Sequence, residues 1–215
     1  MRTILCYGDS NTYGESPEGL GRYPRADRWP GILQEALGPL YHVIEEGCNG
    51  RTTVWEDPVE GNDSGLSHLG GCLKSHAPLD LVILMLGTND LKSRFSVTPA
   101  DIALSAERLV RCILASPNER RPHPPQVLLA SPTFVCANTF LGEVFGDRYA
   151  DSRRLGPLYA QAAARCGAAF IDVAEVSPPS AIDGLHLDRD GHRLVARAME
   201  RKVRALLEHE GGASS

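Results

Sequence analysis

Two short stretches at opposite ends of this sequence carry the side chains that acyl transfer needs. Ser10 follows an apolar run near the N-terminus, and His186 stands three residues after Asp183 near the C-terminus. A serine hydroxyl is a weak nucleophile until a base takes its proton, and imidazole suits that task because it titrates near neutrality. Side chains three positions apart in a helical turn face the same side. Asp183 can therefore accept the Nδ1 proton of His186 and leave Nε2 facing Ser10.

Two further stretches offer donors for the oxyanion that forms during such a reaction. Asn89 has a side-chain amide, Gly50 has a backbone N–H that no side chain crowds, and Ser10 can add its own N–H. Each such donor is typically worth ~3–4 kcal/mol of the barrier. Taken singly, Ser10 and Asn89 are also typical caps of a helix or turn, Gly50 is typical of a turn with positive φ, and His186 is typical of a surface position. The combination favours catalysis.

Five apolar runs alternate with helical patterns and would position these side chains. The predicted strands are 3–7, 42–45, 79–86, 126–130 and 168–173, and the predicted helices are 29–37, 66–75, 99–115 with Thr98 as N-cap, 152–165 ended by Gly167, and 188–208 with Asp188 as N-cap. This alternation predicts an α/β protein whose parallel sheet is covered on both faces. Loops at one edge of such a sheet converge, so the four stretches can form one site.

The composition is that of one ordinary globular domain. The 215 residues are 42% hydrophobic and 23% charged, and we expect a single domain over 1–210 with a frayed tail at 211–215. A net charge of −5 gives no reason to expect nucleic-acid binding. No run approaches the ~20 apolar residues that span a bilayer, so no membrane association is expected. The N-terminus enters a strand without a leader pattern, which favours a cytoplasmic protein, although a chain whose signal had been removed would look the same.

The cysteines do not follow a disulfide or metal pattern. There are six, at positions 6, 48, 72, 112, 136 and 166. They form no CxxC pair, and no His/Cys cluster has zinc spacing. We expect reduced thiols that fill core space, and neither a metal nor a cofactor.

The four stretches, in this order, resemble the SGNH (GDSL-type) hydrolase family. The family is named for the serine, glycine, asparagine and histidine that are here Ser10, Gly50, Asn89 and His186, and Asp183 is the acid of its D-x-x-H block. The resemblance extends from the first strand to the final helix. It implies a flavodoxin-like three-layer α/β/α sandwich around a parallel sheet of about five strands, and a serine esterase without cofactor or metal. Asn11 stands where the family name has leucine, a position that varies.

The sequence is more closely similar to the bacterial arylesterase/acyltransferase branch of that family. The shared signatures are Asp27-Arg28-Trp29, Ile44-Glu45-Glu46-Gly47, Arg51-Thr52-Thr53, Leu79-Asp80-Leu81-Val82 and Met85-Leu86-Gly87-Thr88-Asn89-Asp90. This resemblance implies hydrolysis of small acyl esters through an acyl-enzyme, with transfer to alcohols or peroxide in some members. It also implies a homo-oligomer, with octamers among the known forms. We expect Asn11 and Tyr13 to contact substrate, and 138–153 to form the pocket rim and subunit contacts.

Several other residues carry alternatives. Asp9 and Asp90 are interpreted as structural, because a glycosidase with paired carboxylates would leave Ser10 and His186 unexplained. The stretch Asp188-Arg189-Asp190-Gly191 is weakly similar to a calcium loop but lacks its remaining ligands, which favours helix capping. His192 is predicted to face solvent on the last helix, and Trp29 to support the pocket or pack in the core.

Two alternatives remain for the function. A flavodoxin-like module could cradle a phosphate with Ser10-Asn11-Thr12, but it would not need His186, and the carboxylate of Asp9 would repel phosphate. Within the esterase interpretation, aryl or alkyl acetates, acetylated sugars and acyl thioesters would all use the same three side chains.

Overall fold

Five parallel strands form the centre of the protein. The computed structural model describes residues 1–61, 64–119, 122–136 and 142–208. The strands are β1 (Arg2–Gly8), β2 (Tyr41–Gly47), β3 (Leu81–Met85), β4 (Gln126–Ser131) and β5 (Ala169–Asp172). They lie in the order β2-β1-β3-β4-β5, and all neighbouring pairs are parallel. The chain therefore reverses its direction of winding between β1 and β3, which is the place where open α/β sheets bind ligands.

Helices connect the strands and cover the sheet. Those of the described residues are α1 (Ser10–Tyr13), α2 (Trp29–Leu37), α3 (Gly65–His76), α4 (Pro99–Leu114), α5 (Gly142–Phe145), α6 (Tyr149–Ser152), α7 (Leu155–Cys166) and α8 (Arg189–Glu208). Short 3₁₀ turns occupy Arg25–Asp27, Asn89–Leu91 and Ser93–Phe95.

The core has two apolar clusters, one on each face of the sheet. In β1, Leu5 and Tyr7 belong to the cluster that includes α3, α4 and α7, whereas Ile4 and Cys6 belong to the cluster that includes α2 and α8. Side chains alternate between the two faces of a strand, so both faces of a fully covered strand are apolar. The predicted three-layer α/β/α fold is confirmed, with five strands in its sheet.

Local sequence signals set several element ends as predicted. The N-cap of α4 is Thr98, which forms a capping box with Asp101, and Pro99 occupies the first turn. α7 ends at Gly167, whose φ of 66° lies in the left-handed region that glycine adopts without strain. Asp188 accepts a hydrogen bond from the backbone N–H of Gly191 at 2.8 Å, so capping of α8 is confirmed.

Most strand boundaries differ from the predicted ones by one or two residues, and two differences have a visible physical reason. β3 begins at Leu81 rather than 79, because the side-chain amide of Asn118 bonds both the N–H and the C=O of Leu79, each at 2.8 Å. The helix predicted over 152–165 begins at Leu155 as α7, and Ser152 instead ends the separate short helix α6. The hydroxyl of Ser152 bonds the carbonyl of Tyr149 and the N–H of Val135, and these contacts fix a turn between the helices.

The predictions for the C-terminal tail and for the domain boundary are not tested by the structure. The predicted tail at 211–215 lies outside the described residues, and the single-domain boundary stays a prediction. Within the ranges that the structure describes, no helix is both long and apolar enough to cross a bilayer.

Candidate active site

The nucleophile candidate lies at a tight turn after β1. Asp9 is the N-cap of α1, and its Oδ1 accepts the N–H of Asn11 at 3.0 Å. Ser10 is therefore the first residue of the helix and not its cap. A Cβ at Gly8 would lie 2.1 Å from Oγ1 of Thr12 and 2.7 Å from the carbonyl oxygen of Met85, so only glycine permits this packing. The turn places Ser10 at the carboxyl end of the sheet with 6% of its surface exposed.

His186 joins Ser10 to Asp183 by two hydrogen bonds. Its Nε2 lies 3.0 Å from Oγ of Ser10, and its Nδ1 lies 2.6 Å from Oδ2 of Asp183. Burial alone would raise the pKa of Asp183, but hydrogen bonds from the His186 ring and from the N–H groups of Leu185 and His186 hold it below its ordinary value. The carboxylate therefore stays ionised, and it can orient the imidazole and stabilise an imidazolium.

Asn11 holds the loop that carries His186. Its Nδ2 donates to the carbonyl of Leu185 at 3.3 Å, and its Oδ1 accepts the N–H of Leu187 at 2.8 Å. Both polar atoms of this amide thus bond the backbone on either side of His186, and Asn11 is 3% exposed. The structure therefore gives Asn11 a supporting position, and its contact with substrate stays a prediction.

Tyr13 is also engaged away from the reacting groups. The guanidinium of Arg22 lies 4.2 Å from the centre of the Tyr13 ring, and Arg22 Nε donates to the Tyr13 carbonyl at 2.8 Å. This is a cation–π contact at a partly exposed position. This position of Tyr13 does not favour the expected contact with substrate.

The three predicted oxyanion donors come together around one cleft, which Ser10, Gly50 and Asn89 all line. Gly50 has a φ of 75°, so its predicted positive φ is confirmed. The amide of Asn89 donates to the carbonyl of Arg51 at 3.1 Å. An amide nitrogen carries two protons, so the second can be donated into the cleft. The arrangement suits an oxyanion hole. The role of each of the three donors in it stays a prediction.

A buried carboxyl ties two loops of the site together. The carboxylate of Asp90 accepts hydrogen bonds from the N–H of Thr53 at 2.9 and 3.1 Å and from its hydroxyl. Burial raises the pKa of Asp90, and also that of Asp9, to about 6. Both residues are 0% exposed. Their structural interpretation is confirmed, and a glycosidase-type pair facing substrate is excluded.

The cleft beside Ser10 is small and has apolar and polar surfaces. Its volume is about 280 Å³. Val144, Phe145 and Leu185 supply the apolar surface, and Phe145 is 2% exposed. Val144 and Phe145 lie in the segment that was expected to form the pocket rim, of which residues 138–141 lie outside the described part.

Beyond the predicted site residues, the polar surface of the cleft contains two sets of paired side chains that were not predicted from the sequence. Asn49 Nδ2 donates to Glu15 at 2.8 Å. Lys92, whose side chain is 4% exposed, lies 2.7 Å from Glu60 and 3.4 Å from Asp57. These pairs join residues far apart in the chain, and no local pattern predicts them.

His192 contradicts its predicted solvent exposure. It is 0% exposed, and its Nδ1 accepts the N–H of Trp29 at 3.2 Å. Burial lowers the pKa of His192 to about 4, so the ring is neutral. Val195, Ala196 and other buried residues of α8 follow His192 at helical spacing, a signal in the sequence that could have shown its burial. Trp29 packs in the core, one of the two positions expected for it.

A serine, a histidine and an aspartate in hydrogen-bond contact at the carboxyl edge of a parallel sheet define a class of protein, the serine hydrolases with an α/β/α fold. The chain belongs to the GDSL-like lipase/acylhydrolase family, whose profile matches residues 6–194. No curated protein matches the chain by sequence.

Solved structures agree with this assignment. A carbohydrate acetylesterase family member from Sinorhizobium meliloti is 40% identical with a TM-score of 0.92, and the match covers 97% of this chain and 100% of that one. An aryl esterase from M. smegmatis is 37% identical with a TM-score of 0.91, covering 96% of this chain and 100% of that one. A G-D-S-L family lipolytic protein from Veillonella parvula, 18% identical with a TM-score of 0.70, covers 95% and 100% and shares the fold. The chain is thus a carboxylic ester hydrolase and not a phosphate-binding module.

Proposed function

We propose that the chain is a serine esterase that hydrolyses short acyl esters, with Ser10 as nucleophile, His186 as base and Asp183 as the orienting acid. The observation that carries this proposal is the hydrogen-bonded series from Ser10 through His186 to Asp183, with contacts of 3.0 and 2.6 Å. Nucleophile, base and orienting group stand in the order that activates a serine.

In the first half of the reaction, Oγ of Ser10 attacks the carbonyl carbon of the ester while Nε2 of His186 takes the hydroxyl proton. Asp183 stabilises the imidazolium that forms. The carbonyl oxygen becomes an oxyanion, which accepts hydrogen bonds from the Asn89 amide and from the N–H groups of Gly50 and Ser10. The intermediate then collapses, and the alcohol leaves with the proton that His186 held. An acyl group remains on Ser10.

In the second half, water attacks the acyl-enzyme with His186 again as the base, and the acid is released. An alcohol or peroxide that replaces water would take the acyl group instead, so acyl transfer belongs to the same proposal. Its balance with hydrolysis depends on how well the cleft excludes water. Assembly into a homo-oligomer such as an octamer is a further proposal that rests on the family resemblance, and a location in the cytoplasm is a separate proposal.

The size of the cleft supports a short acyl group. Its volume of about 280 Å³ is just below the range for sites that bind drug-sized ligands. Val144 and Phe145 occupy part of its wall, so a long acyl chain would have to leave the cleft and stay in water. The rate should therefore fall as the acyl chain lengthens.

Acetylated sugars are the second candidate substrates. The polar side chains at the cleft, Glu15 with Asn49 and Glu60 with Lys92, can exchange hydrogen bonds with hydroxyl groups of a sugar. The similarity to a carbohydrate acetylesterase family member favours the same class. If a sugar contacts Glu15, Glu15→Gln will raise KM for glucose pentaacetate and leave the hydrolysis of p-nitrophenyl acetate unchanged. Equal effects on both esters would contradict that contact.

The test of the main proposal compares p-nitrophenyl acetate, butyrate and octanoate. We expect the rate to fall from acetate to octanoate and to be lost for all three in Ser10→Ala. The matched control is Ser105→Ala, which removes a buried hydroxyl on α4 that bonds the carbonyl of Asp101. This control should keep the activity. Full activity of Ser10→Ala would refute the proposal.

A further inference from the structure

A second group of reactive side chains lies where α3 ends beside β2. It consists of Glu46 on β2 and of Cys72 and His76 on α3, and these residues are not among those that line the catalytic cleft. Their ligand-type atoms all lie within 4.8 Å of one another. His76 Nε2 is already 2.8 Å from Oε1 of Glu46. A thiol, an imidazole and a carboxylate thus converge on one point.

The fold fixes this convergence. Cys72 and His76 are four residues apart, so they share one face of α3. Leu69 and Leu73 on the same helix are buried in the core cluster and anchor it. Pairing of β2 with β1 fixes the position of Glu46 opposite Tyr7. No large rearrangement is needed to bring the three ligand atoms around one ion.

We propose that Glu46, Cys72 and His76 form a binding site for a borderline transition-metal ion of the Zn²⁺ class. Zn²⁺ takes tetrahedral sets of sulfur, nitrogen and oxygen ligands at about 2.0–2.3 Å, which places the ligand atoms roughly 3.5 Å apart. Nε2 of His76 and Oε1 of Glu46 are 2.8 Å apart, and all three ligand atoms lie within 4.8 Å of one another, so modest side-chain shifts would bring them to that spacing. The side chains of His76 and Glu46 are 27% and 34% exposed, so the ion can enter, and water can supply the fourth ligand.

Metal binding would displace a proton from Cys72. Burial, and then the charge of Glu46, raise the pKa of Cys72 to about 12, while Arg51 lowers it, so the free protein holds a neutral thiol. Binding converts Zn²⁺ and Cys72–SH into the Zn²⁺–thiolate pair and one released proton. Arg51 is the cation whose charge lowers the pKa of Cys72. Its guanidinium is occupied by the carbonyls of Gly8 and Glu46 and by the face of the Tyr7 ring.

An ion here would connect the end of α3 to the end of β2. Glu46 stands four residues before Gly50, so the ion would also restrain the start of the loop that carries this oxyanion candidate. Because the ion binds the folded chain through groups that are brought together only by folding, it should raise the unfolding temperature.

The test is titration of the metal-free, full-length protein with Co²⁺, which substitutes for Zn²⁺ and gives a thiolate-to-cobalt absorption band. We expect one equivalent per chain, with the band lost in Cys72→Ser and the affinity reduced in His76→Ala and Glu46→Gln. Two control variants should keep the band. Cys48→Ser removes an exposed thiol, and Cys112→Ser removes another half-buried helical thiol. A band that persists in Cys72→Ser, or that disappears in Cys48→Ser, would overturn the proposal.

A second measurement needs no substitution and so does not depend on the folding of a variant. Alkylation of the wild-type protein by iodoacetamide, mapped by mass spectrometry, reports each cysteine separately. At alkaline pH, where the small thiolate fraction of free Cys72 reacts, Zn²⁺ should slow the alkylation of Cys72, because a coordinated thiolate is not free to react. The rate at Cys48 should not change. Equal rates at Cys72 with and without Zn²⁺ would contradict the site.

Discussion

Two regions that meet at the carboxyl end of the sheet use aspartate in opposite ways. In the catalytic edge, formed by Ser10, Asp183 and His186, the carboxylate is partly exposed and hydrogen bonds hold its pKa low. In the supporting layer, formed by Asp9, Thr53 and Asp90, both carboxyls are fully buried and burial raises their pKa to about 6.

The difference shows which carboxylate can act as a permanent charge. Asp183 stays ionised through any pH at which His186 could act as a base, so it can serve an imidazolium at every turnover. Both oxygens of Asp90 accept hydrogen bonds from Thr53, and these bonds join two loops. Substitutions in the catalytic edge should change rate without changing stability, and substitutions in the supporting layer should do the reverse.

The largest effect is expected from Ser10→Ala. Loss of the nucleophile should lower kcat for p-nitrophenyl acetate by about 10⁴-fold or more. The unfolding temperature should stay close to that of the wild type, because the hydroxyl contacts only His186 among its described hydrogen-bond partners. A loss of activity accompanied by unfolding would move Ser10 into the supporting layer.

The second-largest fall in kcat is expected from Asp183→Asn. The amide cannot hold the imidazole in the required tautomer, so kcat should fall about 10⁴-fold while the fold is kept. Steady-state kinetics and thermal unfolding of the same preparation measure both. Asp190→Asn is the control, since that carboxylate is exposed on α8. A fall in kcat of less than about tenfold would show that His186 does not depend on Asp183.

Asn89→Ala should reduce kcat by about 10²–10³-fold, the usual cost of one oxyanion donor. Its matched control is Asn49→Ala, because Asn49 lines the same cleft but bonds Glu15. The control should change KM more than kcat. If the two variants had the same kcat, Asn89 would be a turn residue and not a donor.

Asp90→Ala should destabilise the protein by about 1–3 kcal/mol, because it leaves the N–H and the hydroxyl of Thr53 buried without their acceptor. Urea unfolding measures this loss. The residual kcat should exceed that of Asn89→Ala. A variant of normal stability with no activity would reverse the assignment of Asp90 to the supporting layer.

The smallest effect is a pH dependence of stability. Because burial raises the pKa of Asp90 to about 6, the folded chain keeps a proton that the unfolded chain releases near pH 4. The contribution of Asp90 to stability therefore falls as pH rises from about 4 to about 6, by at most about 1.4 kcal/mol per pH unit. Asp90→Asn lacks this ionisation, so its stability relative to the wild type should rise over that window. A constant difference would contradict the raised pKa.

The sequence predicted the placement of the candidate catalytic side chains better than that of the cleft walls around them. Ser10 lies two residues after β1 and Asn89 four residues after β3, so local pattern and sheet topology together place them. The pair of Glu60 with Lys92 and the apolar contact surface of Val144 depend on loops whose course no local signal determines. Cys72 and His76 are four residues apart in a helix, a spacing outside the zinc patterns considered above, and Glu46 joins them only through the tertiary fold.

The wrong prediction that His192 faces solvent has a different cause. Its burial follows from the periodicity of α8, which the sequence contains, but its polar side chain suggested a solvent-facing position. The free-energy cost of burying it is reduced because its Nδ1 accepts the N–H of Trp29, a contact that only the packing of α8 on α2 creates.

The most direct test of the central claim is to label the wild-type protein with a phosphonate ester that reacts with activated serines, and to locate the adduct by peptide mass spectrometry. We predict one adduct per chain, on Ser10, and no adduct when His186→Ala removes the base. An adduct on another residue, or equal labelling of Ser10 in the two proteins, would contradict the claim that His186 activates Ser10 as the nucleophile.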